Sequence, residues 1–118
     1  MLKRNIDMYV CARNDCIDLV SDIFEGSATE MLVVLFLDER SKVKKISVFS
    51  GGTENSIVAD KMSCIVSLAH EYNSLRLVTI HNHPDRLRER SPEDDILDKA
   101  LKIQLGWFEI SFAAALIY

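Results

Sequence analysis

The sequence predicts a single α/β domain spanning residues 1–118, a mixed β-sheet flanked by helices. Three observations predict it. Stretches with apolar residues at helical spacing alternate with short apolar runs of strand length. One run, "MLVVLFLD", is apolar at almost every position, as a strand buried on both faces requires. At 118 residues the chain has the length of one domain, enough to hide roughly two thirds of its unfolded surface.

The elements follow in order. Asn14 or Asp15 is expected to cap a first helix running to about Glu25, with Cys16, Val20, Ile23 and Phe24 on one face and Gly26-Ser27 ending it. Met31 to Asp38 reads as the central strand. "DERSK" is a charged turn, and Val43 to Ser50 is a second strand that pairs with the first as an antiparallel hairpin. "GGTEN" reads as a loop. "VADKMSCIVSLAHEYNS" then places Met62, Ile65, Val66 and Ala69 at helical spacing, with His70 expected on the solvent side. "LRLVTIHNH" is a third strand. After a loop, Ser91 is the expected N-cap of a third helix, with Pro92 in its first position, acids in its first turn and Gly106 at its end. "WFEISFAAALIY" reads as a last strand. The order is α-β-β-α-β-α-β.

Composition removes several function classes. A net charge of −4 gives no concentrated basic patch for phosphates, and Arg86, Arg88 and Arg90 are diluted by Asp85 and Glu89, so no nucleic-acid partner is expected. The N-terminus lacks the apolar core of a signal peptide, and no apolar run approaches ~18 residues, so no membrane partner is expected. Cys11, Cys16 and Cys64 are too few for a four-cysteine zinc site and read as reduced thiols of a cytoplasmic protein. The terminal run "FAAALIY" suits either a buried strand or an edge open to another chain, which leaves the oligomeric state open.

The chemistry concentrates in "TIHNHPDRLRERSPEDD". Residues two apart on a strand point to the same side, so His81 and His83 project together and Asn82 faces away. Two neutral imidazoles can fill two of the four tetrahedral positions of zinc. A third ligand can come from Asp94, near the start of the next helix. Asp95 lies about 100° further around that helix, so only one of the two acids fits. By itself the histidine pair suits an exposed turn as well as a metal site, and Ser-Pro-Glu-Asp is a sound helix start without any function. The tripeptide "HNH" does not make a nuclease, because that name describes separated residues.

His81, His83, Ser91 and Asp94 fit the pattern H-x-H, seven residues, S-x-x-D, which resembles the JAMM (JAB/MPN) metalloprotease motif. The wider pattern is similar to the RadC-like branch of that superfamily: Glu30 before "MLVVLFLD", the loop Gly52-Thr53-Glu54-Asn55-Ser56, a helix, then "HNHP" at 81–84. The resemblance covers about residue 15 to the end. It departs where Asp85-Arg86 replace the usual Ser-Gly, and where the last strand reads "SFAAALIY" without the Asp-His pair many relatives carry there. The N-terminal helix-hairpin-helix region of full-length RadC proteins has no counterpart in these 118 residues.

The resemblance implies the layered JAB/MPN fold, of cytidine-deaminase-like architecture. It implies one zinc per chain, held by His81, His83 and Asp94, with a water in the fourth place at a pKa of roughly 7. Glu30 would be the general base and Ser91 the donor to the oxyanion, with Asn82 and Thr53 as lesser candidates for supporting contacts. The implied activity is hydrolysis of a peptide or isopeptide bond in a ubiquitin-like modifier conjugate or a protein tail, the substrate lying as an added strand beside a sheet edge. The alternative is a catalytically silent MPN-type scaffold, although silent relatives usually lack a ligand and all five positions are filled here.

Overall fold

The central strand explains most of the architecture. In the structure, a computed structural model, the backbone is described at residues 9–10, 12–27, 29–50, 54–82 and 92–118, and the side chains at these positions except 54–60 and 92–94. The elements are α1 (Arg13–Phe24), β1 (Met31–Leu37), β2 (Val43–Ser50), α2 (Glu54–Glu71), β3 (Arg76–His81), α3 (Pro92–Gly106) and β4 (Ser111–Ile117). The order is the one the sequence predicts.

The four strands form one sheet in the order β2-β1-β3-β4. β1 runs antiparallel to both neighbours, and β4 runs parallel to β3, so the sheet is mixed. Residues 32–37 of β1 are all buried, because two separate cores form on the two faces. Leu32, Val34 and Phe36 pack with Met62, Ile65 and Ala69 of α2 and with Leu101 and Leu105 of α3. Val33, Leu35 and Leu37 pack with Cys16, Leu19, Val20 and Phe24 of α1. Successive strand residues point to opposite faces, so an uninterrupted apolar run is what a strand between two layers needs. Among the described residues, no helix is long and apolar enough to cross a membrane.

Several boundaries differ from the expectation, each for a local reason. α1 is not capped by Asn14 or Asp15. Its N-cap is Ala12, and Asp15, three residues in, reaches back so that its Oδ2 accepts the Ala12 N–H at 3.1 Å. The acid caps from inside the helix because alanine has no oxygen to offer. The helix ends at Phe24, and Gly26 takes a left-handed φ of 74° as the chain turns away. α2 starts at Glu54, so "GGTEN" is not loop throughout. β3 stops at His81, short of Asn82.

The largest difference is at the start of β4. Trp107 and Phe108 do not extend into the sheet. Their N–H groups donate to Gln104 O (3.3 Å) and Leu105 O (3.0 Å), continuing the helical winding. Glu109, at φ 60°, then reverses the chain, and the Ile110 N–H returns to Leu105 O at 3.0 Å. The strand begins only at Ser111.

Candidate active site at the end of strand β3

His81 is the last residue of β3 and only 4% exposed. It pairs with Leu32 on β1 and with Ile117 on β4. Residues two apart share a face, and Leu77 lies in the core beneath α2 and α3, so His81 belongs to that same side of the sheet. Its backbone is fixed where the strands end, since His81 O accepts the Tyr118 N–H at 2.8 Å. The Tyr118 ring stacks on Phe24 of α1 at 5.0 Å. Arg13 Nη2 donates to Ile117 O at 2.9 Å. The outer rim of β4 is thereby tied to α1, beside the histidine.

Glu30 enters this region from β1. It lies two residues before Leu32, the register partner of His81, and is half-buried, with its Oε2 shut away from solvent. The adjacency of β1 and β3 is therefore the contact that brings the acid and the histidine to one end of the sheet. No sequence pattern states which strand neighbours which, so this placement is new information from the fold.

Asn82 makes the connection specific. It is 5% exposed. Its Oδ1 accepts the Met31 N–H at 2.7 Å, and its Nδ2 donates to Thr29 O at 3.0 Å. The amide thus grips the backbone on both sides of Glu30. Thr29 O is held a second time, by Ser27 Oγ at 2.9 Å. The expectation for Asn82 was a residue turned away from the site, with at most a supporting part. Its amide reaches the backbone at the start of β1, and there it sets where the Glu30 backbone sits. An asparagine offers a donor and an acceptor on one planar group, which a two-point grip on a peptide segment requires.

The remaining expected site residues divide. His83, Ser91 and Thr53 lie outside the described residues, as does the Asp94 side chain. Among the described residues no group of three histidine, cysteine, aspartate or glutamate side chains gathers as a metal would need. Asp95 is exposed on the surface of α3. His70 is exposed as expected, with its ring 5.4 Å from that of Phe108. What the described residues offer is a buried imidazole and a carboxylate with a buried oxygen at one sheet end. Of the three residues expected to hold zinc, His81 is the one whose side chain is described, and its imidazole is a nitrogen donor suited to that metal.

A groove of about 290 Å³ opens elsewhere, near the opposite ends of β1 and β3, between α1 and the sheet. Among the described residues its lining includes Arg13, Cys16, Ser41 and Arg76 and no histidine or carboxylate. Burial raises the Cys16 thiol above its ordinary pKa, with Asp15 adding to the effect, so this cysteine is not an activated nucleophile.

Comparison with known proteins agrees with this fold. A family model described as RadC-like JAB domain matches residues 10–118. Among curated proteins, a UPF0758 protein of Vibrio vulnificus (strain YJ016) is 31% identical over 91 residues, which is 77% of this chain and 40% of that protein. A UPF0758 protein of Aromatoleum aromaticum is 32% identical over 82 residues, 69% of this chain and 36% of the relative. One from Shouchella clausii is 30% identical over 94 residues, 79% of this chain and 40% of the relative. The aligned part of this chain thus spans about 40% of the length of such relatives.

Proposed function

The chain belongs to the RadC-like JAB domain family, and on that premise we propose that it is a zinc-dependent hydrolase of peptide or isopeptide bonds. The observation that carries the reading is the placement of Glu30. Glu30, with one carboxylate oxygen buried, has its flanking backbone held by the Asn82 amide at the sheet end that carries the buried His81.

The residues that would hold zinc are His81, His83 and Asp94, one ion per chain. When bound, zinc supplies a Lewis acid that polarises the scissile carbonyl and makes water acidic enough to attack near neutral pH. Glu30 takes the proton from the attacking water and later delivers it to the leaving amine, the two halves of general acid–base catalysis. Its surroundings favour this, because the two-point grip of Asn82 fixes the backbone from which the carboxylate projects. Ser91 donates a hydrogen bond to the oxyanion, and its hydroxyl can still accept one from the helix it precedes.

The substrate class we propose is an extended protein segment, a protein tail or the end of a ubiquitin-like modifier. Among the described residues the sheet has two edges, β2 and β4. Near the site, β4 is partly occupied, since Arg13 covers Ile117 O. β2 runs to Ser50, which pairs with Met31 next to Glu30. An added strand on β2 would therefore be led toward the acid. The free thiols of Cys16 and Cys64 support a reducing compartment, the cytoplasm.

The test begins with metal. Purified, tag-free protein is expected to carry about one zinc per chain by mass spectrometry, and His81→Ala/His83→Ala to carry none. Cleavage of peptide and isopeptide panels should then be lost in Glu30→Gln with zinc retained. Protein that neither holds zinc nor takes it up would overturn the hydrolase reading and leave a silent scaffold.

A further inference from the structure

Helix α3 presents a second apolar stripe away from the core. Leu101 and Leu105 are buried beneath the sheet, whereas Ile96 is 66% exposed, Ile103 59% and Trp107 78%. At 100° per residue, Ile96, Ala100, Ile103 and Trp107 fall within about 60° of one another; the three large members lie about 120° or more from Leu101, while half-buried Ala100 borders the core it also packs against. Trp107 follows directly on the helix, its N–H bonded to Gln104 O at 3.3 Å. The spacing of four, three and four residues is the d-a-d-a pattern of a coiled-coil seam. A large apolar stripe on a charged helix marks an interaction surface more often than chance exposure.

We propose that this stripe pairs with the same stripe of a second copy of the chain, the two α3 helices running antiparallel about a two-fold axis. Self-pairing in this sense lays d positions against a positions. Ile96 then meets the partner's Trp107, and Ala100 meets the partner's Ile103, with each layer repeated by symmetry. Every large member of the stripe is covered, and the small alanine faces a branched side chain.

Charge complementarity favours the second copy over an unrelated occupant. α3 has no basic residue in its last turn, so the negative end of its dipole lacks a cation of its own. In the antiparallel pair, exposed Lys99 flanks the seam opposite Gly106, the last residue of the partner helix. Each copy supplies the cation that the other's helix end lacks. One helix face is smaller than the roughly 800 Å² per partner of a standard interface, so the dimer is concentration-dependent.

The chain's single tryptophan lies in the seam and reports on it. Sedimentation equilibrium of the 118-residue chain should show reversible dimers. Over the same concentration range Trp107 emission should shift to the blue and its quenching by acrylamide should fall. Ile103→Glu, at an exposed position, should remain folded by circular dichroism and monomeric throughout. Lys99→Glu should weaken the dimer by roughly threefold to tenfold, the size expected for exposed charges at a helix end. Lys61→Glu, on the exposed side of α2, should leave it unchanged. A wild-type chain that stays monomeric, or a dimer indifferent to both Ile103→Glu and Lys99→Glu, overturns the proposal.

Discussion

Asn82 shows how one buried amide can set the position of an acid it does not touch through its own side chain. Both of its hydrogen bonds go to backbone flanking Glu30, and both are buried or half-buried. Asn82→Ala leaves the Met31 N–H and the Thr29 carbonyl without that partner. The variant should lose about 1–3 kcal/mol in urea denaturation, and hydrogen exchange at the Met31 amide should accelerate. Asn82→Asp keeps an acceptor for Met31 but cannot donate to Thr29, so it should fall between the two. A second residue-scale effect depends on pH. Asp38 Oδ1 accepts the N–H groups of Arg40 at 2.8 Å and Lys42 at 2.9 Å. The Lys42 N–H above all, then that of Arg40 and the nearby lysine charges, hold this carboxyl below its ordinary value of 3.8. A lowered folded pKa contributes stability that is complete above the unfolded value and fades as pH falls through the folded one. Asp38→Asn keeps the shape and removes the charge. It should therefore melt below wild type near neutral pH, and the gap should narrow as pH falls below 3.8 and close as it passes through the lowered folded value. Among candidate site residues, His81 was legible from the apolar run that ends in it, and Glu30 from family resemblance alone. The grip of Asn82 was not legible, because it depends on which strand lies beside β3. His83, Ser91 and Asp94 were legible as a spacing, and that spacing is what the zinc measurement tests.

At the scale of elements, β1 and β4 teach opposite lessons. "MLVVLFL" could be read because burial on both faces leaves no polar position. "WFEISFAAALI" was read as strand from its first residue because its aromatic start has strand character. What stops it is the way the preceding helix ends. Leu105 O receives two N–H groups, from Phe108 and Ile110, and this wraps the helix end before the chain can enter the sheet. The turn requires Glu109 at φ 60°, a conformation that disfavours any residue with a Cβ other than asparagine or aspartate, so no sequence signal announces it. Asn73 at φ 53°, closing α2, is the recognisable version of the same turn. A glutamate held left-handed costs roughly 1–2 kcal/mol relative to glycine. Glu109→Gly should therefore raise the midpoint of denaturation by a stability gain of about 1 kcal/mol, less the chain entropy glycine adds to the unfolded state. Asn73→Gly should gain less. The connection before β3 is tied differently. Buried Ser74 accepts the Leu37 N–H at 3.1 Å, and its hydroxyl proton lies within reach of Leu37 O at 3.0 Å and Arg76 O at 2.7 Å. Serine was visible in the sequence there, but its role follows only from the end of β1 lying beside it.

For the whole molecule, the decisive fact is that two cores share one strand. Leu35 belongs to the core under α1, and Phe36, the next residue, to the core under α2 and α3. Each is fully buried. Neither core can form without ordering β1, and β1 in turn presents the opposite face to the other core. The two layers should therefore unfold together rather than in sequence, even though no helix bridges them. Leu35→Ala and Phe36→Ala should each cost about 2–5 kcal/mol, a large part of the total stability of a domain this size. The sharper expectation concerns where the loss is felt. Hydrogen exchange under native conditions should show the amides of Val20 in α1 and Leu101 in α3 falling by the same free energy in both variants. If the cores were independent, Leu35→Ala would lower protection in α1 alone and Phe36→Ala in α3 alone. Coupling of this kind also bears on the site, since Glu30 precedes β1 and His81 ends β3, its hydrogen-bonded neighbour. Substitution in either core should then loosen the same sheet end, so the loss of protection at the His81 amide should follow global stability rather than distance from the substituted residue.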